Sequence, residues 1–152
     1  MIDWTTSKIA SALLALAIFI PNHSRAGCFD ESAQYHKVNP WILRAIAAQE
    51  SGFKAATLAY NTNGTVDRGM MGINSVHLPE LARYGIAAHD LLDGCKSVYL
   101  AGWRLRKMID KFGNTWEAVG AYHSKTPSKR DRYAAKIRHI VGIWQSQGII
   151  PP

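Results

Sequence analysis

Signals that begin and end helices recur along residues 30–147, and they constrain the fold more than any other feature of the chain. Asn39 is a capping residue placed before a proline at the first helical position, and Gly52 follows the same segment. Asp93 can cap a long helix that ends at Phe112. The predicted helices cover residues 30–36, 40–49, 78–84, 93–112, 114–122 and 130–147, with Asp93 and Asn114 as caps of their helices.

Residues 59–67, AYNTNGTVD, form the only interval with strand character. A tyrosine precedes the Asn63-Gly64 pair, and threonine and valine follow it, which is the pattern of a small hairpin. The chain has 152 residues, 47% of them hydrophobic and 19% charged, which suits one globular domain. We predict a mainly α single domain with a small β-hairpin.

The first 26 residues have the features of a secretory signal. Lys8 precedes an apolar run at residues 9–20 that is too short to span a bilayer, and residues 24–26 offer a small-x-small cleavage site. We predict cleavage after Ala26, export to the periplasm or beyond, and no stable membrane insertion of the mature residues 27–152. A buried helix or a retained anchor is the alternative.

Cys28 and Cys95 are the only cysteines of the chain. In an oxidising periplasm we expect them to form one disulfide, and two unpaired buried thiols are the alternative if the chain is not exported. The six histidines show no ligand spacing relative to the cysteines. We therefore expect no metal site and no cofactor.

The formal net charge of +7 indicates an anionic partner. That partner could be nucleic acid, a membrane surface or a cell-wall polymer, and charge alone does not choose among the three. Export and the absence of an aromatic and basic platform argue against nucleic acid.

Glu50 continues the apolar face of a predicted helix. Ile42 and Ile46 stand eight and four positions before it, so its side chain should project from the same face at the helix end. Loss of hydration and the negative end of the helix dipole both raise the pKa of such a carboxyl, as a general acid requires. A half-exposed glutamate at a helix end is the alternative, and the pattern alone favours that alternative.

Asp67 follows a polar turn and precedes Arg68 and Gly69, so we expect its carboxylate to stay hydrated and ionised. A protonated acid in apolar surroundings beside an ionised carboxylate is the arrangement that cleaves glycosidic bonds. The alternative for Asp67 is structural, in which the carboxylate accepts hydrogen bonds from backbone amides of the turn.

The segments ESGF and NTNGTVDRGMMGINS, with Glu50 and Asp67 17 positions apart, resemble the superfamily of goose- and chicken-type lysozymes and lytic transglycosylases. The later Ala121-Tyr122 pair adds to the resemblance, which covers roughly residues 28–144. It implies a lysozyme-like α+β domain with a small hairpin lobe beside an active-site cleft. It also implies cleavage of the β-1,4 bond between MurNAc and GlcNAc in peptidoglycan, with Asp67 as the second catalytic carboxylate.

By the same resemblance, Glu50 is the catalytic acid, and in a transglycosylase it is also the base that lets the muramyl 6-hydroxyl close an anhydro ring. The resemblance places Ser51, Met71 and Tyr122 along the sugar cleft, with the Tyr122 hydroxyl near Glu50. The alternatives are a helix-end serine, a core methionine and a core tyrosine. For Met70 and Met71 we expect one side chain to pack inward and the other to face the ligand.

Two substrate-binding candidates depart from the family's pattern. Gly72 stands where the family usually has glutamine, which removes a hydrogen-bonding partner for the sugar or for Glu50. His123 stands where asparagine usually follows Ala-Tyr, and it could bind substrate or be a surface histidine at a loop edge. Low activity, or a need for a partner protein, follows as a hypothesis.

The small chain with one cysteine pair resembles the specialised transglycosylases of type III secretion and conjugation systems, which open the wall locally for an assembling apparatus. We expect a monomer that acts on peptidoglycan strands, and its partners could include proteins of that apparatus. The alternatives are a hydrolytic muramidase, favoured by Asp67, and a weakly catalytic wall-binding assembly module, favoured by Gly72 and His123.

Overall fold

The computed structural model describes residues 25–150 as six helices, three short strands and two short 3₁₀ turns. The helices are α1 (Arg25–His36), α2 (Pro40–Ser51), α3 (Leu78–Ala82), α4 (Gly94–Phe112), α5 (Trp116–His123) and α6 (Pro127–Ser146). The strands are β1 (Leu58–Tyr60), β2 (Val66–Arg68) and β3 (Ile73–Asn74), and the 3₁₀ turns are Ser75–His77 and Asp90–Leu92. The predicted mainly α domain with a small β lobe is confirmed. Most of the predicted signal segment, residues 1–24, lies outside the described residues, as do residues 151–152.

The cap residues that the sequence marks hold helix ends in the structure. The Asn39 side chain accepts hydrogen bonds from two backbone N–H groups in the first turn of α2, and Asp93 accepts one from the first turn of α4. Gly52 ends α2 at φ 59°, a left-handed conformation that glycine adopts at little cost. At α5 the cap is Thr115 and not the predicted Asn114, because a tight turn before Thr115 leaves Asn114 outside the helix.

The long helix α4 packs against α1 and α5, and α5 in turn packs against α6. Val98, Gly102 and Leu105 of α4 are buried, and their spacing of four and three positions puts them on one face of the helix. The Cys28–Cys95 disulfide joins α1 to the first turn of α4, so the predicted pairing is confirmed. In the part of the chain that the structure describes, no helix has both the length and the apolar character needed to cross a membrane.

The three strands form an antiparallel sheet in the order β1-β2-β3. β1 and β2 make the predicted hairpin, which sets Ala59 opposite Asp67 and Tyr60 opposite Val66. The sequence does not reveal β3, because two residues are too few to show an alternating pattern. Pairing of Asp67 with Asn74 brings β3 alongside the hairpin.

A turn at residues 69–72 links β2 to β3 and lies against the helical part of the molecule. A Cβ atom at Gly69, where φ is 76°, would lie 1.8 Å from the Leu91 carbonyl oxygen, so only glycine fits there. Met70 and Met71 are both buried, which makes the expectation that one of them faces the ligand wrong. Consecutive side chains alternate sides only in extended strands, and these two residues lie in a turn.

We predict that the Cys28–Cys95 disulfide stabilises the folded state by about 3–5 kcal/mol, because it constrains the unfolded chain across a separation of 67 residues. Denaturant unfolding with and without reductant measures the loss. A Cys28→Ser/Cys95→Ser variant is the matched control, since it should unfold like the reduced protein and not respond to reductant. Superimposable unfolding curves before and after complete reduction would contradict the prediction.

Candidate active site

The Glu50 carboxyl lies at the C-terminal end of α2, one helical turn after the buried Ile46. Burial is the main reason that the pKa of Glu50 is raised to about 7, and the negative charge of Asp67 adds to the rise. The carboxyl is therefore protonated in a substantial fraction of molecules at neutral pH. This is the property that the sequence pattern predicts for a general acid.

A buried tyrosine of α6 holds this carboxyl. The Tyr133 hydroxyl donates a hydrogen bond of 2.5 Å to Oε1 of Glu50, which lowers the pKa of Glu50 and partly opposes the effect of burial. Burial raises the pKa of Tyr133 itself, so its hydroxyl keeps the proton and remains a donor. The sequence alone does not reveal this contact, which joins residues 83 positions apart. The available signal was a tyrosine on the inner face of a helix, because a buried hydroxyl needs a partner.

Tyr122 lines the same cavity as Glu50, but its hydroxyl is bonded elsewhere. The hydroxyl donates to the Met71 carbonyl oxygen at 2.8 Å, and the ring stacks on that of Tyr133 with 6.5 Å between centroids. The Tyr122 hydroxyl is thus engaged with the backbone of the 69–72 turn. The hydrogen bond to Oε1 of Glu50 comes from Tyr133, while the Tyr122 hydroxyl lies close enough to Glu50 for the carboxylate charge to add to burial in raising the pKa of Tyr122.

Asp67 is held by side-chain amides of the sheet lobe. Asn61 Nδ2 donates to one carboxylate oxygen at 2.9 Å, and Asn74 Nδ2 donates to the other at 2.7 Å. Both amides also donate to the Thr65 hydroxyl, so a connected network orients the carboxylate. The structural interpretation of Asp67 expected hydrogen bonds from backbone amides of the turn. In the structure the two donors are the side-chain amides of Asn61 and Asn74. Asp67 nevertheless lines the cavity of Glu50, and its negative charge contributes to the raised pKa of Glu50.

The cavity that Glu50 and Asp67 line has a volume of about 500 Å³. We call it the active-site cavity. Gly72, Tyr122 and His123, three of the predicted substrate-binding residues, also line it. Within residues 25–150, no group of His, Cys, Asp or Glu side chains is arranged to hold a metal ion.

Two other predicted sugar-binding residues, Ser51 and Met71, do not line this cavity. The Ser51 hydroxyl donates to the Met70 carbonyl oxygen at 2.8 Å, and Met71 is completely buried. Ser51 therefore ties the end of α2 to the 69–72 turn, and Met71 packs beneath that turn. The positions of the two residues fit a helix-end serine and a core methionine. They do not fit contacts with a sugar in the cleft.

Gly72 lies directly against the Glu50 carboxyl. Its φ is 59°, and a Cβ atom there would lie 2.4 Å from Oε2 of Glu50, so any side chain would have to displace the carboxyl. Glycine at this position therefore leaves room for the observed position of Glu50. Gly72 cannot supply the side-chain hydrogen bond that the family's glutamine would offer. Tyr133 donates a hydrogen bond to Glu50 in its place.

His123 lies at the rim of the active-site cavity. Its ring is parallel to that of Tyr133, with an angle of 4° and 4.7 Å between centroids. Loss of hydration lowers the pKa of His123, so its imidazole is neutral at pH 7. The residue is also exposed to solvent. Its position therefore fits both roles considered from the sequence, a substrate contact and a surface histidine at a loop edge.

Residues 27–140, which contain Glu50, Asp67 and Tyr133, match the family model described as Transglycosylase SLT domain. The chain is 36% identical over 122 residues to Protein IpgF of Shigella flexneri, with 80% of each chain covered. It is 39% identical over 121 residues to Invasion protein IagB of Salmonella typhimurium (strain SL1344), with 76% of each covered. It is 34% identical over 150 residues to X polypeptide of Escherichia coli, covering 92% of this chain and 89% of that protein.

Replacing Tyr133 with phenylalanine removes the hydroxyl that bonds Glu50 and keeps the ring. We expect the pKa of Glu50 to rise above about 7, because the lowering effect of the hydrogen bond is lost while burial remains. An NMR titration of the Glu50 carboxyl carbon measures this change. Tyr122→Phe is the matched control, because its lost hydroxyl bonds Met71 and not Glu50. An unchanged pKa in the Tyr133→Phe variant would contradict the assignment.

Proposed function

The chain belongs to the transglycosylase SLT domain family, and on this premise we propose that Glu50 and Asp67 act together to cleave the MurNAc–GlcNAc β-1,4 bond of peptidoglycan. The main observation behind these roles is a carboxyl with a pKa of about 7 on the wall of a cavity that a second carboxylate also lines. A glycosidic oxygen must gain a proton to leave readily. A carboxyl with this pKa can donate one at neutral pH.

The first step is proton transfer from Glu50 to the bridging oxygen. The bond between that oxygen and C1 of the muramyl residue breaks, the bonding electrons leave with the oxygen, and positive charge develops at C1 and the ring oxygen. The Tyr133 hydroxyl donates to Oε1 and so stabilises the carboxylate that remains on Glu50. The Asp67 carboxylate lines the same cavity, where its negative charge stabilises the developing positive charge.

In the second step the Glu50 carboxylate acts as a base. It takes the proton of the muramyl 6-hydroxyl while that oxygen bonds to C1, which closes a 1,6-anhydro ring and returns Glu50 to its protonated form. In a hydrolytic muramidase, water would take the place of the 6-hydroxyl and the product would have a reducing end. The family match favours the transglycosylase reaction over hydrolysis.

We place this reaction in the periplasm, at the site where a secretion apparatus crosses the wall. The predicted signal at residues 1–26 and the Cys28–Cys95 disulfide support export, since disulfides persist in oxidising compartments. The relative from Salmonella typhimurium is named an invasion protein. Together with the resemblance to type III secretion transglycosylases, that name supports local opening of the wall for such an apparatus. Retention of the whole chain in the cytoplasm would contradict this location.

Mass analysis of digested peptidoglycan tests the reaction. We expect muramyl products with 1,6-anhydro ends, which are lighter than reducing ends by one water. A folded Glu50→Gln variant should release neither, because its side chain has no proton to donate to the leaving oxygen. Reducing ends would identify a hydrolase. Wall cleavage at the wild-type rate by folded Glu50→Gln protein would exclude Glu50 as the acid.

Replacing Asp67 with asparagine should slow cleavage by roughly ten- to a thousandfold, or about 1.4–4 kcal/mol of transition-state stabilisation. The reason is loss of the negative charge that faces the developing positive charge. Thermal unfolding of the same preparation separates this effect from a structural one. Asp110→Asn is the matched control, because it removes an equal charge from an ion pair with Arg106 that lies outside the active-site cavity. An unchanged rate with lowered stability in the Asp67 variant would refute the catalytic role.

A further inference from the structure

A second cavity, of about 340 Å³, adjoins the active-site cavity. His77, Arg104, Tyr122 and His123 line both cavities, so the two are continuous along this wall. The second cavity is formed by α4, by the end of α5 and by the segment around the start of α3. We call it the basic side cavity.

Positive charge dominates the basic side cavity. Arg104, Lys107 and Lys125 line it, against one carboxylate, Glu80, whose Oε1 lies 2.7 Å from Lys107 Nζ. Among residues 25–150, Arg104 and Lys125 form no salt bridge. His77 adds no charge at neutral pH, because burial and the charge of Arg104 lower its pKa to about 4. Two cations on this wall therefore have no carboxylate of the described residues in direct contact, although Arg104 lies close enough to Glu80 and Glu50 to lower the pKa of each.

Arg104 is fixed in the wall between the two cavities. Its Nη2 donates to the Tyr122 carbonyl oxygen at 3.1 Å, and its guanidinium carbon lies 5.2 Å from the centre of the Tyr122 ring. Its Nε is buried and has no hydrogen-bond partner in the described part of the chain. Burial of an incompletely paired cation costs free energy unless something compensates for it. Arg104 also lines the cavity, so an anionic group of a ligand there would offset the charge of the guanidinium, although it would not reach the buried Nε itself.

The sugar chain of peptidoglycan offers no such anion. Its N-acetyl groups are neutral, and the lactyl carboxyl of a peptide-bearing muramyl residue is tied up in an amide bond. The attached stem peptide does carry free carboxylates, and a guanidinium is well suited to bind a carboxylate. We propose that the basic side cavity binds a stem-peptide carboxylate while the glycan occupies the active-site cavity. The enzyme then prefers peptide-bearing glycan with free carboxylates. This inference rests on the proposed function, because it requires glycan in the active-site cavity.

Two synthetic tetrasaccharides of alternating GlcNAc and MurNAc test the proposal. Both carry L-alanyl-D-glutamyl stems, with free carboxyls in one substrate and amidated carboxyls in the other. The measured quantity is the ratio of kcat/KM for the acid over kcat/KM for the amide. For the wild-type enzyme we expect a ratio of about 3–30, mainly through KM, since partly exposed charged contacts discriminate to roughly this extent.

Lys125→Gln and Arg104→Gln should both bring this ratio towards one. The ratio cancels any loss of activity that is common to the two substrates, which matters because Arg104 also contacts Tyr122. Lys111→Gln is the matched control, since it removes an equal charge from the last turn of α4, outside both cavities, and should leave the ratio unchanged.

The outcomes separate this proposal from the proposed function. Cleavage of neither substrate by the wild-type enzyme would contradict the proposed function itself. Equal cleavage of both would leave that function standing and overturn the stem-peptide proposal, making the basic side cavity at most a neutral sugar subsite. A preference for the acid that persists in both the Lys125→Gln and Arg104→Gln variants would also overturn the assignment to this cavity.

Discussion

Removal of the Glu50 carboxyl from water is the condition on which its proposed role as the acid depends. Three distant parts of the chain produce it. α2 carries the residue, the 69–72 turn brings Gly72 against Oε2, and α6 places the Tyr133 hydroxyl on Oε1. Burial raises the pKa of Glu50 to about 7, and the hydrogen bond limits the rise. A fully hydrated carboxyl would have no proton to give at neutral pH, whereas one buried without a donor would release its proton too reluctantly.

The sheet lobe provides the opposite surroundings for the second carboxylate. Asp67 accepts hydrogen bonds from the amides of Asn61 and Asn74, so its negative charge is met by polar donors, while the partly buried Glu50 carboxyl loses hydration. Two carboxyls of the same chemistry thus reach one cavity in contrasting environments, which is how a glycosidase divides the roles of acid and stabiliser between them. The two-residue strand β3 matters here because it carries Asn74.

Part of the positive charge of the chain lies on the wall beside the active-site cavity. A net charge of +7 by itself suits several anionic partners, and the family match identifies peptidoglycan as the substrate. Arg104 and Lys125 concentrate part of that charge beside the active-site cavity, and Arg104 is held there by contacts with Tyr122. Peptidoglycan has neutral sugars and anionic stem peptides. Positive charge at this wall therefore favours contact with the stem peptide over contact with the sugars.

The sequence by itself determined the features that depend only on residues close together in the chain, such as helix ends and the hairpin turn. Asn39 marks a helix start through its own side chain. Helix periodicity and a turn make Glu50 and Asp67 candidates for contrasting surroundings, and the segments ESGF and NTNGTVD around them carry the resemblance that favours this interpretation. Only the tertiary structure decided which hydroxyl meets Glu50. Tyr133 lies 83 residues away from it, and the choice between Tyr133 and Tyr122 depends on how α5 and α6 pack over α2 and the 69–72 turn. A local pattern gives the direction of a side chain from its own helix, but the partner across a cavity is set by elements remote in sequence.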